Sequence, residues 1–169
     1  MDITAWNPLS VGLLLFVTVQ RLAELVLARH NTRRLVARGA FEVAPEHYPL
    51  IVAVHTGWIG GLWLLAPSLE PNAFLVGVYG FLQAMRIWVL MTLGERWTTR
   101  IIILPNAPLV TSGPYRFVSH PNYWVVAGEI LVLPLAFGLP VYALIFTLLN
   151  ATALTIRIRA ENQALNRPR

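Results

Sequence analysis

Two constellations in the C-terminal half carry groups able to bind and transform a ligand. The first is the run Pro108-Leu109-Val110-Thr111-Ser112-Gly113-Pro114-Tyr115-Arg116-Phe117-Val118-Ser119-His120-Pro121-Asn122-Tyr123. Gly113-Pro114 makes a turn, and Pro121 suits the first turn of a helix. His120, Asn122 and Tyr123 then offer donors and acceptors at a helix N-terminus, where free backbone N–H groups favour a carboxylate or another anion. The plainer reading is a helix cap with an interfacial tyrosine. The second is Arg157 and Glu161, four apart and so on one helix face. As a surface ion pair they contribute a few tenths of a kcal/mol, and Arg before Glu is the weaker order. Facing the protein instead, Arg157 can hold an anionic oxygen by charge-assisted hydrogen bonds.

A third set of polar groups sits inside apolar runs: Glu129, Arg86 and His55. Charges in such positions are expensive and mark functional sites by default. Glu129 and His55, like His120, are groups able to act as general bases. The alternative for Glu129 is a structural pair with Arg86. Arg21 and Glu24 fall near the cytoplasmic end of the first run, from where they can snorkel. Trp58, Trp63, Trp88 and Trp97 suit core or interfacial packing, or an apolar tunnel. No G-x-G-x-x-G follows a strand and no phosphate-binding loop motif is present, so a Rossmann nucleotide site is not supported. There are no cysteines, which excludes disulfides, thiolate nucleophiles, cysteine-ligated zinc and iron–sulfur clusters, and no metal site is expected.

The elements that must position these groups are membrane helices. Of the 169 residues 56% are hydrophobic and only 12% charged, with a mean hydropathy of +0.60, where a soluble domain has about 25% charged. Five apolar runs are visible: Leu9 to about Ala28, Leu50 to Ala66, Ala73 to Leu93, Tyr123 to Phe137, and Val141 to about Ile156. The fourth is short, and Pro134 disturbs its last turn, so it reads as a tilted or broken helix, or as half of a tight hairpin with the fifth. All 13 basic residues are Arg. Apart from Arg21 and Arg86 inside the apolar runs, they gather in Arg29 to Tyr48, Gly94 to Asn122 and the C-terminal tail, while the N-terminus and the other two loops hold only Asp2 and Glu70. Five spans put every basic segment on one side, which predicts the N-terminus outside and the C-terminus in the cytoplasm. Met1 to Ala5 lacks a basic region, so no removable signal peptide is expected. The net charge of +5 thus reflects membrane topology, not a nucleic-acid partner. Gly94 to Asn122 is too rich in Trp, Ile, Leu and Val for a solvated linker. It reads as a segment lying in the interface or folded over a pocket.

The expected fold class is therefore all-α: an integral membrane protein of about five transmembrane helices, multi-pass in the inner membrane, with a non-Rossmann cofactor site. Residues 1–93 form three N-terminal helices. Residues 94–169 form a catalytic region of re-entry segment, last two spans and C-terminal helix.

Leu109-Val110-Thr111-Ser112-Gly113-Pro114-Tyr115, His120-Pro121-Asn122-Tyr123 and Arg157…Glu161, in that order and spacing, resemble the isoprenylcysteine carboxyl methyltransferase family of integral membrane enzymes. That family carries Leu-Val-x-x-Gly-x-Tyr, His-Pro-x-Tyr and, some thirty-odd residues later, Arg-x-x-x-Glu. The resemblance implies S-adenosylmethionine as methyl donor, with S-adenosylhomocysteine as product. It implies that Ala107, Pro108, Leu109, Val110, Tyr115, His120, Pro121, Asn122 and Tyr123 line the cofactor, that Glu161 binds its polar part, and that Arg157 faces the acceptor. The chain departs from the family pattern at Ser119, often Arg; at Asn162, often a second Glu; and at Ala107, a His in prenyl-protein members. Gly39-Ala40-Phe41-Glu42 and His47-Tyr48-Pro49 resemble a bacterial branch associated with O-methylation of alkylpyrones and alkylresorcinols. The expected activity is transfer of a methyl group to an oxygen (carboxylate, enol or phenol) of a lipophilic acceptor from the bilayer, such as a long-chain polyketide or an isoprenoid compound. The competing expectation is a small transporter or channel with a path through Arg21, Glu24, Arg86 and Glu129.

Overall fold

A computed structural model describes residues 6–165, with side chains through Gln163. Asp2, Arg167 and Arg169 of the charge map, and the Met1–Ala5 segment read for a signal peptide, lie outside the described residues. Five helices, α1 (Pro8–Ala37), α2 (Tyr48–Leu65), α3 (Ala73–Leu93), α4 (Pro121–Ala136) and α5 (Pro140–Leu165), account for most of the chain. Four are long and apolar enough to cross a membrane, while α4 is shorter. At 1.5 Å per residue its 16 residues span only about 24 Å. It lies between α3 and α5, and half its residues, Glu129 and Ile130 among them, are buried. It is the central helix and faces protein more than lipid. Pro134 acts as expected: the helix stops two residues later, and the chain returns through Phe137–Leu139 in a tight hairpin.

Both ends of the bundle are tied. Asn7 caps α1 by accepting from the Leu9 and Ser10 amides, and its own N–H donates to Pro67 O at 2.8 Å. The Ser10 hydroxyl donates to Leu69 O, and Asn72 N–H donates to Ala136 O at 2.8 Å. The start of α1, the α2–α3 turn and the α4–α5 turn therefore share one end, which carries no described Arg. At the opposite end α1 runs nine residues beyond Ala28. Arg29, Arg33 and Arg34 thus extend a helix where a loop was expected. The stripe Glu24, Ala28, Asn31 and Leu35 stays buried through this extension, and packing along it outweighs the charges on the other face.

The segment between α3 and α4 crosses this second end as a strap. Gly94, at φ +51° and ψ −123°, stops α3 in a conformation open to glycine. Ile102–Ile103 (β2) pairs antiparallel with Phe41–Glu42 (β1), Phe41 opposite Ile103 and Glu42 opposite Ile102. This two-residue ribbon is a small departure from all-α. Arg100 reinforces it, reaching Glu42 Oε2 at 2.8 Å and covering the Tyr48 ring at 4.5 Å. Trp97 and Ile101 are buried. Of the two readings of this segment, interfacial or folded over a pocket, the fold realises the second.

Candidate functional site

The strap roofs a cavity of about 490 Å³ at the Arg-rich end, within the roughly 300–1,000 Å³ usual for small-molecule sites. The strap lines it from Arg96 to Thr111, the ends of α1 and α3 contribute Leu35 and Leu93, and α4 and α5 form the far wall. Of the residues singled out from sequence, Ala107, Pro108, Leu109, Val110, Tyr115, His120, Asn122, Tyr123, Arg157 and Glu161 all line this cavity. Pro121 stands behind it as the buried first residue of α4.

Tyr123 organises the far wall. Its hydroxyl donates to Glu161 Oε2 at 2.5 Å and accepts from Arg157 Nε at 2.8 Å. Arg157 Nη1 donates to Thr99 O at 2.5 Å. The surface ion pair considered for Arg157 and Glu161 is not formed: the tyrosine hydroxyl stands between them. Arg157 is only 9% exposed, and its hydrogen bonds go to two uncharged oxygens. The guanidinium lines the cavity, with the Glu161 carboxylate held on the other side of the Tyr123 hydroxyl. The His120 side chain makes no cap hydrogen bond. Its ring stacks on Tyr123 with centroids 5.1 Å apart and planes 16° from parallel. Asn122 Oδ1 is buried without a hydrogen-bond partner. Burial pushes the Tyr115 phenol up to about 12, with the Glu161 carboxylate adding to the rise, so Tyr115 is neutral and a donor at ordinary pH.

Gly113 sets the strap's far anchor. Its φ is +57°, and a Cβ there would come within 2.5 Å of Thr92 Oγ1. Arg96 Nη1 donates to Pro108 O at 2.5 Å, holding the span between the anchors. At the near anchor, Asn31 Nδ2 donates to Gly94 O at 3.2 Å and Trp97 O at 2.8 Å.

The other two catalytic candidates are elsewhere. His55 lies within α2 and its Nδ1 is 2.9 Å from Ile51 O, one turn back. Glu129 is fully buried: Oε1 accepts from Gln83 Nε2 at 2.8 Å and Arg86 Nε at 2.7 Å, and Oε2 accepts from Arg21 Nη2 at 2.6 Å and from Arg86 Nη2. Glu24 Oε2 accepts from the same two arginines, at 3.1 Å and 3.0 Å. Arg21 and Glu24 therefore turn inward and do not snorkel, because Arg86 and Glu129 neutralise them at the same depth. The pair foreseen between Arg86 and Glu129 exists, within a cluster of four charges.

Sequence reasoning missed Arg96, Asn31 and Thr99. Asn31 left a signal, as a polar residue on the buried stripe of α1. Thr99 left none, because it contributes a backbone carbonyl.

An all-helical bundle with four membrane-length helices and a roofed cavity of mixed apolar and polar lining at one end defines a multi-pass membrane protein with a non-Rossmann pocket. The family model of the isoprenylcysteine carboxyl methyltransferase (ICMT) family matches residues 75–167, and the chain belongs to this family of membrane methyltransferases. It is 37% identical over 158 residues to an uncharacterized protein of Bacillus subtilis, YpbQ, covering 90% of this chain and 94% of that one. It is also 27% identical over 160 residues to an uncharacterized protein of Haemophilus influenzae, covering 86% of this chain and 88% of that one. No solved structure gives a significant match.

Proposed function

We propose that the protein transfers a methyl group from S-adenosylmethionine, taken from the cytoplasm, to an oxygen of a lipophilic acceptor drawn from the bilayer. The observation that carries this reading is the wall formed by Arg157, Tyr123 and Glu161, which presents one cationic and one anionic group to a single cavity. The residues present fit the donor. Glu161 suits its ammonium, the α4 N-terminus suits its carboxylate, and the unpartnered Asn122 Oδ1 suits a polar hydrogen of the nucleoside. When bound, the donor supplies an electrophilic methyl group on a sulfonium.

The chain's own residues supply positioning, the main source of acceleration in an in-line displacement. Arg157 holds the acceptor oxygen as an anion through its remaining N–H groups. Tyr123 fixes the separation of Arg157 from Glu161. The strap covers the reacting groups. A carboxylate or acidic enol needs no base, and for a phenol the imidazole on the wall is His120. The favoured acceptors are long-chain polyketides or isoprenoid compounds with such an oxygen. Residues 94–169 supply nearly all of the wall and so act as the catalytic region.

The same reading places five crossings in the inner membrane, with the N-terminus outside and the C-terminus in the cytoplasm, because the described arginines outside the spans gather at the cavity end. The transport reading is disfavoured by the charges themselves. Arg21, Glu24, Arg86 and Glu129 close on one another and lie between two apolar clusters, one around Leu14, Val17, Trp58 and Ile130 and one around Ala28, Val89 and Trp97.

Isothermal titration of the purified protein with S-adenosylhomocysteine tests the proposal. Binding is expected, and Glu161→Ala should weaken it more than Arg157→Ala does. No binding, with none restored by a candidate acceptor, overturns it. Mass spectrometry of a lipid extract incubated with enzyme and labelled methyl donor then identifies the acceptor.

A further inference from the structure

We infer that the Arg21–Glu24–Arg86–Glu129 cluster is a register pin for the cavity: it sets the depth at which α1 meets α3 and α4, and so holds the strap over the cofactor site. These four are positioning residues, and the inference rests on the reading of the cavity proposed above.

The wiring is cyclic. Each guanidinium reaches both carboxylates, and Glu24 and Glu129 each accept from both arginines. Gln20 and Gln83 add donors to Glu24 and Glu129, at 2.9 Å and 2.8 Å. Two positive and two negative charges cancel. Apolar contacts tolerate a slide of α1 along its neighbours, since one aliphatic side chain replaces another. A slide of one turn, about 5.4 Å, strips both Arg21 and Glu24 of their partners on α3 and α4. Buried ionic groups are weak sources of stability but can fix register.

The pinned register reaches the cavity through each helix. On α1, Asn31 lies two turns beyond Glu24 on the same buried stripe and holds the Gly94 and Trp97 carbonyls. Leu35, one turn further, lines the cavity. On α3, Arg86 lies two turns before Leu93, a wall residue adjoining the strap. On α4, Glu129 lies two turns from Asn122 and Tyr123. Moreover, the family match begins at residue 75. It includes Arg86 and Glu129 and leaves out Arg21 and Glu24, so the pin joins the N-terminal helix to the matched region.

The test replaces the whole cluster with apolar residues of similar size: Arg21→Met, Glu24→Leu, Arg86→Met and Glu129→Leu together. A merely stabilising cluster and a pin differ in outcome, since apolar replacement often preserves or raises stability. The pin predicts an unchanged or higher Tm with S-adenosylhomocysteine bound about tenfold more weakly. It also predicts faster amide hydrogen exchange across residues 97–112, with α4 and α5 unaffected. Arg21→Met with Glu24→Leu, a charge-balanced change that leaves Arg86 on Glu129, should show the same split to a smaller degree if the fourfold variant does not fold. Wild-type affinity and exchange in a folded variant overturn the inference, as does failure of both variants to fold. If the wild type itself does not bind, the methyl-donor reading falls, and the exchange at 97–112, which requires no ligand, decides the pin alone.

Discussion

Arg157 and Glu161 share a face of α5 yet reach each other only through Tyr123, whose hydroxyl accepts from Arg157 Nε at 2.8 Å and donates to Glu161 Oε2 at 2.5 Å. Two charges that would cancel in direct contact are thereby held apart and both presented to the cavity. Tyr123→Phe removes this spacer and lets the two side chains close on each other. Hydrogen bonds to charged groups contribute roughly 1.5–3 kcal/mol, so kcat/KM should fall roughly tenfold to a hundredfold. Thermal stability should change little, because the new direct pair replaces part of what is lost. Equal loss of stability and activity would instead make Tyr123 a packing residue.

Gly113→Ala combines a positive φ with a Cβ 2.5 Å from Thr92 Oγ1. A non-glycine residue in this conformation costs roughly 1–2 kcal/mol before any clash. The variant should melt several degrees lower and bind S-adenosylhomocysteine less tightly, since the strap's far anchor is displaced. Gly12→Ala is the control. It lies inside α1 with nothing within 4 Å of its Cβ, and exchanging glycine for alanine in a helix interior is favourable by roughly 0.5–1 kcal/mol. Melting curves in one detergent compare the two.

The sequence displays what a helical period and the cost of a buried charge can write into it. Apolar runs marked five helices, Pro134 and the Gly138–Pro140 turn marked the α4–α5 hairpin, and the Arg map separated the two ends. The Gly113, His120 and Arg157 motifs named most of the side chains that the fold brings onto one wall. Three things stayed hidden, each for a physical reason. The extension of α1 past Arg29 depends on a buried stripe whose partners come from the strap. The inward turn of Arg21 depends on Arg86 and Glu129, which are far away in the chain. Thr99 acts through its carbonyl, so its side chain type says nothing of the contact.

Tyr115 gives the site a signature at high pH. Its phenol is pushed from the ordinary 10 up to about 12, first by burial and then by Glu161. A raised pKa in the folded state favours the protonated form there. Its stabilising effect is complete below pH 10 and is lost as pH rises toward 12. The protein should therefore lose stability across that window, and Tyr115→Phe should lose less of it. Tyr115→Phe should leave the activity profile between pH 6 and 9 with an unchanged shape, because the phenol does not titrate there. Differential absorbance at tyrosinate wavelengths, compared with melting temperature at each pH, checks both.

Glu129 separates chemistry from architecture. As a general base, its amide variant would keep the wild-type fold and lose turnover. The geometry gives the opposite expectation: both oxygens are occupied by Arg21, Arg86 and Gln83, and the carboxylate is fully buried. Glu129→Gln leaves two guanidiniums sharing Glu24 alone inside the bundle. Removing one partner of a buried ion pair costs about 3–5 kcal/mol, a large share of the 5–15 kcal/mol typical of a folded domain. The variant should therefore show a sharply lowered melting temperature, and at saturating S-adenosylmethionine the fraction that remains folded should turn over at a rate within a few-fold of wild type. Measuring kcat per folded molecule, with the folded fraction taken from size-exclusion chromatography, distinguishes the two. A stable, inactive Glu129→Gln protein would return this residue to the reaction.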